Sequence, residues 1–228
     1  PHSRHIGMME RLTMIQVSTP TLSPRRRVAM TWVVWITAVI AYGFAVMQRT
    51  SLGVMGLTAA AHFNAPASVV ATFMVLQLAI YAVLQIPAGI TVDRLGSRVV
   101  ITAGSTVMAI GQVVMALAGS VGGAVLARLL VGCGDAFIFG AAIRLVPAWF
   151  PPKQTPLVTQ LTGLLGQFGQ VVSAVGLVAM VNSNGWRSTY LLAAGGAAAA
   201  AVLAVLLIRD APPAVEPQRT DTNVKQLP

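Results

Sequence analysis

Apolar positions in this chain neither alternate as in half-buried strands nor gather on one face as in the helices of a soluble domain. They form long continuous runs separated by short clusters of charged and turn-forming residues, at about residues 29–58, 67–90, 98–118, 122–145, 157–181 and 188–208. A bilayer-spanning helix needs about 20 mainly apolar residues, so the pattern predicts six spans. The first run exceeds one minimal span, which predicts tilt or extension beyond the lipid. Barrel strands would alternate over about 10 residues, and no such alternation occurs. Gly, Ala and Ser recur within the runs, and residues this small let helices approach closely inside a membrane. The segment 89–100, GITVDRLGSRVV, is too charged to lie in lipid and is expected to form a loop at one membrane face, with Pro87 bending the helix just before it.

Composition agrees with this pattern. Hydrophobic residues make up 56% and charged residues 9%, against roughly 25% charged in soluble domains. Mean hydropathy is +0.76. Lys and Arg gather on one set of alternate loops: Arg4, Arg11, Arg25 to Arg27, Arg94, Arg98, Lys153, Arg209, Arg219 and Lys225, with Arg187 on the other side and Arg128 near a helix start. The positive-inside rule then places both termini in the cytoplasm of a multi-pass protein of the cell membrane. A net charge of +9 is accounted for by a basic rim beside anionic lipid headgroups, without a nucleic-acid partner.

Three segments are expected: a polar cytoplasmic stretch at 1–27, the membrane region at 28–208, and a flexible, Pro-rich and charged stretch at 209–228. Because the sequence begins at Pro1, a start inside a longer frame or after processing is expected, with Met8, Met9 or Met14 as candidate initiators. The arginines at 25–27 precede a run too long for a signal peptide, which points to a retained first span.

With Cys133 the single cysteine and His2, His5 and His62 all outside the expected membrane core, the residues predict neither a metal site nor a cofactor nor a catalytic centre, and the chain is not read as an enzyme. The polar residues within spans are more informative. Gln77, Tyr81 and Gln85 follow one face of the second span, and Gln160, Gln167 and Gln170 cluster on the fifth, which predicts a hydrated cavity. Trp35, Tyr42 and Arg49 recur every seven residues on the first span, placing Arg49 inside the membrane. Its planar guanidinium suits phosphate or carboxylate, so an anion is expected to supply its countercharge, the alternative being an anchor at the outer interface. Asp135 follows Arg128 by seven residues, on nearly the same face and about 10 Å deeper. Arg128 is expected to snorkel toward the outer surface, and Asp135 either couples or gates transport or belongs to a structural ion pair.

The 89–100 segment resembles the loop signature of the major facilitator superfamily, G-x-x-x-D-R/K-x-G-R/K-R/K, between the second and third helices. Gly89, Asp93, Arg94, Gly96 and Arg98 match, and Ser97 stands where a basic residue is usual. Gly96 permits a tight turn, and the resemblance implies that Asp93 and Arg94 help latch two halves of a transporter, the alternative being a topological charge anchor. Residues 127–136, ARLLVGCGDA, are similar to the superfamily's R-x-x-x-G-x-G pattern through Arg128, Gly132 and Gly134. Arg27, Trp32, Arg49, Ser51 and Leu52 look like the first helix of organophosphate/phosphate antiporters and anion/cation symporters. The fifth run lacks the G-P pair of drug/proton antiporters, and the glycine-rich nitrate signature is also absent.

The fold these resemblances imply is all-α: six transmembrane helices as a three-plus-three inverted repeat, half of a twelve-helix protein whose C-terminal six-helix half is a missing partner. The implied function is secondary active transport of a small solute, an organic or inorganic anion, by alternating access with a coupling proton or counter-substrate. Arg49, Tyr42, Gln77, Tyr81 and Gln167 are the expected substrate residues. Asp135, Arg128, Gly89, Asp93, Arg94, Gly96 and Arg98 are the expected coupling or gating residues. A homodimeric six-helix transporter and a non-transporting membrane receptor or scaffold are the alternatives.

Overall fold

The computed structural model describes residues 24–212. The expectations for 1–23 and 213–228, including the candidate start residues, fall outside the described residues. Ala29–Pro212 forms one compact unit; of the other unit, only residues 24–28 are described.

Every regular element among the described residues is helical. Helix α1 is Pro24–Val54 and, after Met55, continues as the short α2, Gly56–His62. Helix α3 is Ala67–Leu117, begun by Pro66 in an extended conformation. Helix α4, Val121–Trp149, is N-capped by Ser120, whose hydroxyl accepts from the Gly123 N–H at 3.3 Å. Helix α5, Thr155–Val172, passes through a π-helical turn, Ser173–Leu177, into α6, Val178–Leu207.

Four of these continuous stretches are long and apolar enough to cross a membrane, and two exceed fifty residues. At 1.5 Å per residue the 51 residues of α3 would run about 77 Å, more than twice the hydrocarbon thickness. Each long stretch is broken once by a glycine of positive φ: Gly96 (φ 80°, ψ 162°) and Gly185 (φ 77°, ψ 174°). The breaks divide the molecule into six rods, at the places where the sequence runs divide. The expected loop at 89–100 is much shorter than predicted. Helix continues through Leu95 and resumes at Ser97, because one glycine in a backbone region closed to other residues turns the chain by itself.

Packing is organised in three clusters along the bundle. Trp35, Val100, Trp149, Phe150 and Ile208 belong to the cluster nearest the Gly96 break. Tyr42, Val131 and Ile138 form a middle cluster. Phe63, Phe73, Trp186 and Tyr190 belong to the third, where the Trp186 indole donates to the Met115 carbonyl at 3.1 Å. Large apolar side chains such as Leu57, Ile86, Leu164, Phe168 and Leu206 point outward from several helices, the reverse of a soluble surface and the expected face toward lipid.

Candidate functional site

Four rods, α1, the first rod of α3, α4 and the last rod of α6, converge on a group of buried polar residues. Small residues bring them together: a Cβ on Gly132 would lie 2.6 Å from the Gln77 carbonyl oxygen, and one on Gly134 would run into the Gly104 carbonyl. Glycine at these positions lets α4 touch both rods of α3 backbone to backbone. The two glycines of the R-x-x-x-G-x-G pattern are therefore points of close contact between helices.

Asp135, wholly buried on α4, meets Arg49 of α1. Arg49 Nη2 donates to Oδ1 at 3.2 Å, and Nε lies 2.8 Å from Oδ2. The pair thus combines one charge-assisted hydrogen bond, from Nη2, with a close charge contact at Nε. The Tyr81 ring lies 4.8 Å from the Arg49 guanidinium carbon, a cation–π contact. The countercharge expected from a bound anion is thus supplied by the protein itself. Asp135 pairs not with Arg128 on its own helix but with a residue 86 positions earlier in the chain.

Arg128 does not snorkel. Its side chain is fully buried, because the bundle supplies its acceptors. Nη1 donates to the Gln48 carbonyl (3.2 Å), the Ser51 hydroxyl (3.1 Å) and Gln77 Oε1 (3.4 Å), and Nη2 donates to Ser51 and to the Tyr190 hydroxyl (3.3 Å). All of these partners are neutral. Gln77 joins the two arginines, since its Nε2 donates to the Arg49 carbonyl at 3.4 Å.

Arg49 and Gln77 line a cavity of about 620 Å³, together with Thr50, Met74, Leu78 and Gln170. Arg49 is the charged side chain in that lining. Tyr81 touches Arg49 from outside the lining, and Tyr42 and Gln167 reach the cavity indirectly. Gln170 Nε2 donates to Gln167 Oε1 at 2.6 Å, and Gln167 Nε2 donates to the Tyr42 hydroxyl at 3.3 Å. The seven-residue stripe on α1 spreads over three neighbourhoods: Trp35 donates to Thr162 at 2.8 Å, Tyr42 packs on Phe139, and Arg49 meets Asp135. The sequence reading assigned no role to Ser51, Gln48, Thr50 or Tyr190. Ser51 and Gln48 carried a signal, as polar residues in an apolar run beside Arg49.

The loop residues form a separate group at the Gly96 break. Asp93 pairs with Arg144 of α4, a partner the sequence reading missed because nothing in the local pattern connects the two. Arg94 and Arg98 are exposed, and neither guanidinium pairs with a carboxylate among the described residues. Gly89 is helical with open space where a Cβ would stand, so nothing in its surroundings requires glycine. Gly96 both turns the chain and lies against the Asp210 carboxylate, which accepts from the Arg98 N–H at 3.0 Å.

Six apolar rods around a partly buried ion pair and a polar cavity define an integral, multi-pass membrane protein with a solute-sized site. The family model of the Major Facilitator Superfamily matches residues 34–226, and the chain belongs to that superfamily. Among curated proteins, a probable L-galactonate transporter of Escherichia coli (strain K12) is 24% identical over 185 residues, 81% of this chain and 38% of that protein. A probable sulfoacetate transporter, SauU, of Cupriavidus necator is 23% identical over 132 residues, 58% of this chain and 31% of that protein. The hexuronate transporter of Escherichia coli (strain K12) is 24% identical over 115 residues, covering 50% and 27%. Among solved structures, a bacterial homolog of the human lysosomal transporter Spinster superposes with a TM-score of 0.66 at 19% identity, covering 87% of this chain and 48% of that one. That likeness shows the fold. The chain spans less than half the length of each of these proteins.

Proposed function

We propose that this chain forms one six-helix half of a secondary active transporter for small anions, which works by alternating access with a second six-helix half. The observation that carries this reading is the Arg49–Asp135 pair: a partly exposed guanidinium on the cavity wall whose partner carboxylate is wholly buried behind it. An incoming carboxylate, sulfonate or phosphate competes with Asp135 for the same donors. Neutralising Asp135 by a proton frees Arg49 for the anion, and deprotonation restores the internal pair, which couples the two ions. The names of the relatives refer to transport of sulfoacetate, L-galactonate and hexuronate, all of them organic acids, and this supports an organic anion as substrate. Tyr42, Tyr81, Gln77 and Gln167 serve the substrate side, and Arg128 holds Gln77 in place behind the cavity. A proton fits the Asp135 chemistry better than a counter-substrate does.

The six rods are proposed as a three-plus-three inverted repeat. In support, the two breaks fall at equivalent places, between the second and third and between the fifth and sixth rods, and each is a glycine of φ near +80° followed two residues later by an arginine: Gly96 and Arg98, Gly185 and Arg187. The basic residues of the alternate loops support a cytoplasmic location, at the cell membrane, for the Gly96 break and both termini.

A thermal-shift screen of sulfonates, sugar acids and phosphates on the purified protein tests the anion reading. A ligand that stabilises the parent should stabilise Arg49→Lys more weakly and leave Arg49→Ala unmoved. Equal stabilisation of parent and Arg49→Ala would remove Arg49 from the site, and hits confined to cations or neutral compounds would remove the anion.

A further inference from the structure

The Gly96 break starts a new helical rod, and the first N–H groups of such a rod lack intrahelical partners. The residue in the capping position is glycine, which has no side chain to accept from them. An acceptor arrives from elsewhere: Asp210, 112 residues later in the chain, places Oδ1 3.0 Å from the Arg98 N–H. The fit is close. A Cβ built on Gly96 would stand 2.7 Å from the Asp210 carboxyl carbon, so the niche that receives this carboxylate exists only because residue 96 is glycine.

Asp210 is delivered by a docked stretch of chain. Ile208 is wholly buried, and its N–H donates to the Ala204 carbonyl at 3.1 Å. The Arg209 carbonyl accepts from the Trp149 indole at 2.8 Å. Trp149 lies five residues beyond Arg144, the partner of Asp93, on the same helix. Three consecutive residues after α6 therefore fasten the end of α6 to the break within α3 and to the end of α4.

We infer that Asp210 is the positioning residue of the 93–98 break: its carboxylate caps the rod 97–117 and so sets where the preceding rod presents Asp93 to Arg144. The loop signature is then completed by a residue far outside it. The inference holds whether or not the anion reading does.

Ser97 is buried at the break, 2% exposed, and a cysteine there reports whether the strap is seated. In the purified protein carrying Cys133→Ser and Ser97→Cys, Asp210→Ala should speed maleimide labelling about five- to tenfold, the ratio expected for loss of one helix cap. Gly96→Ala, which crowds out the carboxylate, should do the same. Asp210→Asn keeps an oxygen acceptor for the Arg98 N–H and should label at nearly the parent rate. Slow labelling of Asp210→Ala would overturn the inference. Fast labelling of Asp210→Asn would do so as well, since it would mean that attraction to Arg94 and Arg98, not the cap, holds the strap. A second readout tests the link to Asp93. Asp93→Asn should lower the melting temperature of the parent by a small, measurable amount and leave that of Asp210→Ala unmoved, and equal changes in both, or none in the parent, would refute the coupling.

Discussion

At the scale of single residues, burial and partners separate three arginines that composition treats alike. Arg49 is 21% exposed, shares a buried carboxylate and lines a cavity, whereas Arg128 is wholly buried among neutral acceptors. Replacing Arg128 by Lys keeps the charge but cannot reach Gln48, Ser51, Gln77 and Tyr190 together. The buried acceptors left unpaired should lower stability by about 1–3 kcal/mol, measurable as a fall in melting temperature in detergent. Arg144 is the third case. A buried latch at Asp93 would make its loss cost ~3–5 kcal/mol, but the Asp93 side chain is 76% exposed and that of Arg144 43%. Asp93→Asn should therefore cost under about 1 kcal/mol in stability. A large loss of transport at normal stability would then locate the role of Asp93 in the transport cycle, and a large fall in melting temperature would contradict the exposed geometry.

At the scale of elements, two glycines turn two overlong helices into four rods. Their side-chain environments differ. Gly185 has open space where a Cβ would stand, whereas Gly96 faces Asp210. Gly185→Ala should thus cost only the backbone strain of its positive φ, about 1–3 kcal/mol, and Gly96→Ala should cost more because it also expels the carboxylate. Comparing the two melting temperatures checks this, and equal losses would mean that Asp210 contributes nothing at the break. The two breaks also give the membrane orientation a direct test. In a Cys133→Ser background, cysteine at the exposed Leu95 should react with an impermeant reagent only from the cytoplasmic side, and cysteine at the exposed Asn184 only from outside. Labelling of residue 95 in intact cells would reverse the proposed topology.

At the scale of the whole molecule, the Arg49–Asp135 pair is the point where packing and proposed transport meet. If Asp135 carries the coupling proton, Asp135→Asn mimics its neutral form. Anion binding should then persist and lose its dependence on pH, and anion exchange should continue while proton-driven accumulation stops. Accumulation at the parent rate would exclude Asp135 as the coupling group. The class of the molecule was written along the chain. Runs of apolar residues set by the thickness of a bilayer, with most charges gathered between them, define a multi-spanning helical protein, and the Gly89–Arg98 and Arg128–Gly134 patterns marked the superfamily that the family model confirms. The partners were not legible there. Periodicity places residues on a face of one helix, and the angle at which two helices pack decides which faces meet. Arg128 and Asp135 share a face of α4, yet Asp135 meets a residue 86 positions away and Arg128 meets four neutral groups, because glycines at 132 and 134 draw α3 against α4 while Gln48 and Ser51 of α1 supply acceptors. Likewise the carboxylate that accepts from the Arg98 N–H beside the Gly96 break comes from 112 residues further along the chain than Arg98. Contacts of that range depend on the closing of the bundle, and only the tertiary structure contains them.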